Sequence, residues 1–203
     1  MTITNGYGDL EGYKQRFFDG DVNDHENDAF IEPIIEAVSR LIDNTTGRRF
    51  YAANETRYFT PDDALTLLVD DLLTVSTLKT DGDGDRTYET TWDTGDYDLE
   101  PLNAATDGAP YTWIETAVLG SYVFPRMRAS VELIGSWGYC SSTDQPTPIT
   151  EALYLGANRT VHRLSTPLGV SASPSLGQLQ VKVSQLQSDP DWMAFIDPYI
   201  RKV

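Results

Sequence analysis

The residues whose types and spacing could do chemistry are mostly acidic. Asp81-Gly82-Asp83-Gly84-Asp85-Arg86-Thr87-Tyr88-Glu89 puts side-chain oxygens at alternate positions, a spacing that suggests a calcium loop. A helix–loop–helix calcium site needs glycine at its sixth position and a bidentate glutamate at its twelfth; here those are Arg86 and Trp92. The same residues make an ordinary turn, so the expectation is a solvated hairpin tip, with Asp81, Asp83 and Asp85 kept as the calcium candidate. Asp96, Asp98 and Glu100 are a second acidic group. On a strand they would share one face, as paired carboxylates for glycoside cleavage or as an exposed negative wall. His25 and His162 are the histidines, one in an acidic linker and one beside Arg159 and Arg163. Neither accompanies a nucleophile motif such as Gly-x-Ser-x-Gly, so surface or interface roles are expected. No glycine-rich segment has the strand-to-helix context and lysine of a phosphate-binding loop. Cys140 is a lone cysteine with no metal-ligand spacing around it. Neither a catalytic centre nor a cofactor is expected.

The charge balance narrows the partners. The chain has 203 residues and a net charge of −16, from 31 acidic against 15 basic side chains. Phosphate-binding proteins gain affinity when clustered Lys and Arg release counterions, and this sequence offers only Arg48-Arg49 and Arg201-Lys202. Sequence-specific DNA binding is therefore not expected, although an acidic wall would let a duplex pass without sticking. No apolar run approaches the roughly 18 residues of a membrane span. The opening MTITNGYGDLEGYK lacks the basic and apolar regions of a secretory signal. A soluble chain made in a reducing cytoplasm is the expectation.

Positioning elements follow from periodicity. Residues 1–27 are expected to hold a short helix from Asp9 to Phe18, with Asp9 as N-cap, and an acidic linker. Ile31, Ile34, Ile35, Val38, Leu41, Ile42 and Thr45 recur at three- and four-residue spacing. They trace one face of a helix over residues 28–46, with Asp28 as N-cap and Gly47 as its left-handed stop. Pro33 is either tolerated early in that helix or marks its start. Residues 50–137 read as short β-prone runs: 49–59, 65–69, 73–79, 87–92, 97–99, 112–118 and 128–137. Clusters of Pro, Gly and Asp separate them. A second long helix is expected over residues 148–164, with Gly156-Ala157 permitting close backbone approach. Residues 166–203 read as an extended arm, with an apolar alternation at Leu179, Val181 and Val183, ending in a short helix over Asp189–Lys202. That helix carries Trp192, Phe195, Ile196, Tyr199 and Ile200 on one side. It is either folded on its own core or anchored in a neighbouring subunit. The fold class is α+β: a small helical bundle with an inserted antiparallel sheet or sandwich and a C-terminal arm. Residues 28–165 are expected to be a single domain.

Specific residues then carry a resemblance. Ala37-Val38-Ser39-Arg40-Leu41-Ile42-Asp43 followed by Thr46-Gly47-Arg48-Arg49-Phe50 is similar to the signature of gp6-like head–tail connector (adaptor) proteins of long-tailed bacteriophages. Val69-Asp70-Asp71-Leu72, Asp96-Tyr97-Asp98-Leu99-Glu100-Pro101-Leu102-Asn103 and Ile134-Gly135-Ser136-Trp137-Gly138-Tyr139 follow in the same order. Pro148-Ile149-Thr150-Glu151-Ala152 comes next, and the ordered series spans about residues 9 to 165. Pro33 and the C-terminal arm depart from the pattern. The resemblance implies a non-enzymatic virion protein of the neck. It would form a homo-oligomeric, dodecameric ring beneath the portal protein, extend the DNA channel, and dock a stopper, head-closure or tail protein. It also marks Arg40, Asp43, Gly47, Arg48 and Phe50 as the signature helix and turn.

Ring closure needs two different faces on each subunit. Trp192, Phe195, Ile196 and Tyr199 are the expected partner- or portal-binding residues. Other readings are a stopper or tail-completion subunit, an acidic glycan hydrolase, and a glycan-binding β module using Trp92 and Trp113. Core packing is the ordinary explanation for those two tryptophans.

Overall fold

A computed structural model describes residue 3 and residues 5–17, 27–118, 120–165 and 186–201. His25, the alternation at Leu179, Val181 and Val183, and Lys202 lie outside the described residues. The fold is α+β, as expected from the two periodicities, and it divides into two compact units. One is helical, from Met1–Arg48 and Gln145–Val203; the other, Arg49–Asp144, carries the strands.

In the helical unit, α1 spans Leu10–Phe17 and α2 spans Asp28–Thr46. The apolar stripe of α2 turns inward: Ile31, Ile34, Ile35, Val38 and Ile42 are buried. Burying aliphatic side chains of this size contributes roughly 1.5–3 kcal/mol each before entropy is counted. Helix α2 is capped one residue earlier than expected. Asn27 holds the N-cap position, and Asp28 instead pairs with the buried Lys14 ammonium at 2.5 Å, joining α1 to α2. Pro33 lies inside α2 rather than starting it. Helix α3 spans Thr147–Ser165, and α4 spans Pro190–Ile196. Two single 3₁₀ turns, Leu186–Ser188 and Asp197–Tyr199, flank α4. A Cβ on Gly156 of α3 would stand 2.9 Å from Val38 of α2 and 3.0 Å from the Trp192 indole of α4. The expected close approach is therefore real, and it brings two neighbours against one glycine.

The strand unit is one antiparallel sheet rather than a sandwich. Its strands are β1 Ala53–Phe59, β2 Thr66–Thr80, β3 Thr90–Trp92, β4 Tyr97–Glu100, β5 Tyr111–Thr116 and β6 Val131–Trp137. Their order is β1-β6-β2-β5-β4, with β3 paired to β2. The sequence suggests two runs at residues 65–69 and 73–79, but β2 is a single strand of 15 residues that passes through Asp70 and Asp71. Its pairing shifts register around Leu72, first against β5 and then against β6. Such bulges absorb residues that break the period-two pattern. The core face gathers Leu67, Val69, Leu72, Leu78, Ile114, Val131, Leu133 and Trp137. Trp92 joins them, stacked on Phe124 at 4.7 Å.

Candidate functional site

The signature residues of α2 build a helix terminus. Gly47 has φ of 67°, a left-handed conformation that favours glycine. Its N–H donates to the Asp43 carbonyl at 2.8 Å. The Thr46 hydroxyl donates to the Ile42 carbonyl at 2.9 Å, while its carbonyl accepts from the Arg201 N–H at 2.8 Å. Arg48 Nε donates to the Tyr199 carbonyl at 2.9 Å. The turn therefore clasps the C-terminal segment. One turn earlier, Arg40 reaches the Asp43 carboxylate at 3.3 Å and donates to the Asn5 carbonyl at 2.7 Å. The Tyr7 hydroxyl donates to Asp43, and the Tyr7 N–H donates to the Ser39 hydroxyl at 3.2 Å. In the strand unit, Phe50 is fully buried with the Tyr139 ring 5.2 Å away.

The terminal helix splits the expected partner-binding set. Trp192 and Ile196 are completely buried in the helical unit, and the Trp192 indole N–H donates to the Ala152 carbonyl at 3.0 Å. Asp189 caps α4 by accepting from the N–H groups of Asp191 and Trp192, and Arg159 of α3 pairs with Asp189 and Asp191. These contacts make α4 a member of the chain's own core. Phe195 and Tyr199 stay half-buried. Phe195 lines a cavity of about 290 Å³ with Arg16, Phe17, Glu151, Tyr154 and Leu155. Arg16 grips Glu151 at the cavity wall and holds its carboxyl below the usual range.

The acidic turn after β2 does bring Asp81, Asp83 and Asp85 together, with oxygens within 4.8 Å of one another. Backbone donors already fill much of that space. Asp81 accepts from the N–H groups of Asp83, Gly84 and Arg86 at 3.1, 2.7 and 2.7 Å. Asp83 accepts from Asp85 at 3.3 Å and Asp85 from Thr87 at 2.6 Å. Burial pushes the Asp81 carboxyl up, but the bonds from Gly84, Arg86 and Asp83 outweigh it and hold the group below the usual carboxylate range. The tip is therefore not fully solvated as expected: Asp81 is buried and organises the turn from within.

The remaining candidates are dispersed. Asp96 accepts from the Asp93 N–H at 2.8 Å and Glu100 from the Leu102 N–H at 2.5 Å, so both brace turns. His162 is exposed on α3. Trp92 is a core residue whose indole donates to Thr80 at 3.0 Å. Trp113 is half-buried on β5, with its indole N–H on Glu115 at 3.2 Å. Burial pushes the Cys140 thiol up to about 12, so little of it is thiolate at neutral pH.

Sequence reasoning missed one surface. Leu67, Leu99 and Ile114 face the core, so their strand neighbours face outward. Register sets Leu68 opposite Trp113, and Trp113 opposite Glu100, in one row. Thr66, Glu115 and Asp98 make the next row. Leu68 is 70% exposed there. The available signal was its place in the Leu65–Val69 run, at an outward position of the alternation.

No protein-family model matches the chain, and no curated protein matches it. Solved structures do. One described as the neck of an empty gene transfer agent (GTA) particle, computed with C6 symmetry, has a TM-score of 0.57 at 15% identity. It covers 100% of this chain and 95% of its own. The neck of a native GTA particle, computed with C12 symmetry, gives 0.52 at 18% identity, covering 100% and 94%. The virion of a native GTA particle gives 0.56 at 17% identity, covering 100% and 95%. The chain thus has the fold of a protein found in those particles, over its whole length.

Proposed function

We propose that this chain is a structural subunit of the neck of a tailed phage or phage-like particle, without chemistry of its own. In the finer reading it is the head-to-tail adaptor: a dodecameric ring beneath the portal that prolongs the DNA channel and receives a stopper, head-closure or tail protein below. The observation that carries this is the end-to-end match of its fold to proteins of GTA necks, one of them computed with C12 symmetry. The ordered motifs from Arg40 to Ala152 support the adaptor reading. So does the charge of −16, which disfavours retention of a passing duplex. A ring engages many copies of a modest contact at once, which turns weak docking into a tight joint.

Within this reading, Phe195 and Tyr199 are the half-buried members of the expected partner-binding set. Mixing the full chain with its portal protein and weighing the products by native mass spectrometry tests the proposal. A complex with one adaptor ring per portal ring is expected. A chain that stays monomeric and never joins the portal would refute it.

A further inference from the structure

We infer that the outward face of the sheet at Leu68 and Trp113 is one half of the contact between copies of this chain, and that the Val123–Arg128 segment of the next copy is the other half. This rests on the ring reading above and names its interface. The face has an apolar centre in an acidic frame: Leu68 and Trp113 stand opposite each other, and Glu100, Asp98 and Glu115 follow on the next register positions. Asp98 is exposed, and its side chain makes no hydrogen bond or ion pair among the described residues. The segment between β5 and β6 has the converse character. Val123 is 57% exposed, and Arg126 and Arg128 are exposed with no ion pair among the described residues.

The sulfur of Met127, between Arg126 and Arg128 in the chain, lies 3.5 Å from where a Cβ on Gly84 would sit, on the turn that displays Asp83 and Asp85, and neither arginine is ion-paired to that turn. In a chain of net charge −16, identical copies repel unless the contact is locally complementary. An apolar–acidic face against an apolar–basic segment supplies that complement. The two surfaces are different, as a head-to-tail ring contact requires. Both belong to the strand unit, so a single folded body carries both halves of the joint.

A charge swap tests this. One full-length variant carries Asp98→Lys and Glu115→Lys; the other carries Arg126→Glu and Arg128→Glu. Each alone should lose rings by native mass spectrometry, with self-association weakened at least tenfold. An equimolar mixture should regain rings containing equal numbers of the two, since every joint in an alternating ring is again complementary. Thermal unfolding of each variant checks that it is folded. Independently, oxidising a Leu68→Cys chain with a Val123→Cys chain should give a cross-linked pair, while buried Cys140 stays silent. Rings that persist in both charge variants, or no cross-link, would overturn this contact and leave the ring reading standing. A wild-type chain that forms no ring at any concentration, alone or on the portal, would remove the ring reading itself.

Discussion

At the scale of single residues, ion pairs and hydrogen bonds brace the strands and turns of the described residues. Glu55 shows this most clearly. Arg49 grips its carboxylate through two bonds of 2.9 and 3.1 Å, and Arg57 adds two more at 3.1 and 2.7 Å. Hydrogen bonds from Arg49 first, then Arg57, hold the Glu55 carboxyl at about 2, below its ordinary value of 4.5. A depressed carboxylate contributes stability that is present above the unfolded value and is lost as pH falls from 4.5 through about 2. With the side chain 36% exposed, solvent screening reduces the effect to the order of 1 kcal/mol. Denaturant unfolding at intervals across that range should show the loss in the wild type and a flatter profile in Glu55→Gln. Identical profiles would deny Glu55 this role. Arg57 also reaches Asp70 at 2.8 Å, which is how β2 keeps an acidic residue in mid-strand. The calcium spacing at Asp81 was legible in the sequence. That Asp81 is buried and already taken by N–H donors was not, because nothing local shows which way a turn carboxylate points.

At the scale of elements, what was legible and what was not divides by range. The α2 stripe and its stop at Gly47 depend on neighbours in sequence, and both are present; the close approach at Gly156 is to the distant Val38 and Trp192, and there the sequence showed only the small residue that permits it. The placement of α4 depends on contacts far along the chain. Its aromatic side read equally well as anchor or core, and Trp192 and Ile196 chose the core. Truncation before Asp189 would therefore uncover the helical unit rather than merely weaken docking. Trp192→Ala should cost about 3–5 kcal/mol in denaturant unfolding, from lost burial and a cavity beside Gly156; the truncation should cost at least as much. Unchanged stability in either would return α4 to the anchor reading. In the sheet, β2 looked like two strands because Asp70 and Asp71 interrupt its apolar pattern, and only pairing with β5 and β6 reveals one strand with bulges. Gly135 of β6 is fixed by that pairing: a Cβ would stand 2.3 Å from the Thr74 carbonyl oxygen. Gly135→Val should therefore prevent the sheet from closing, giving a chain without a cooperative melt by circular dichroism. A normal melt would show that the β2–β6 register is looser than described.

At the scale of the whole molecule, the contrast is between a chain dense in internal braces and one built around a reactive pocket. The carboxylates of the expected acidic groups brace turns or stand on an open sheet face, and the core residues Trp92 and Trp192 hold elements together. Two compact units, each with its own packing, suit a subunit that must present different surfaces to different neighbours. The match to gene transfer agent neck structures runs from end to end at 15–18% identity. At that identity the likeness shows a shared fold. The outward Leu68–Trp113 row went unread because long-range strand pairing, not the local sequence, sets Leu68 opposite Trp113. The most direct test is a symmetry-resolved electron-microscopy reconstruction of the assembled particle's neck. It should show a closed ring of this chain directly below the portal, around the DNA path. A neck whose density holds no copy of the chain, or holds it outside any ring, would contradict the account.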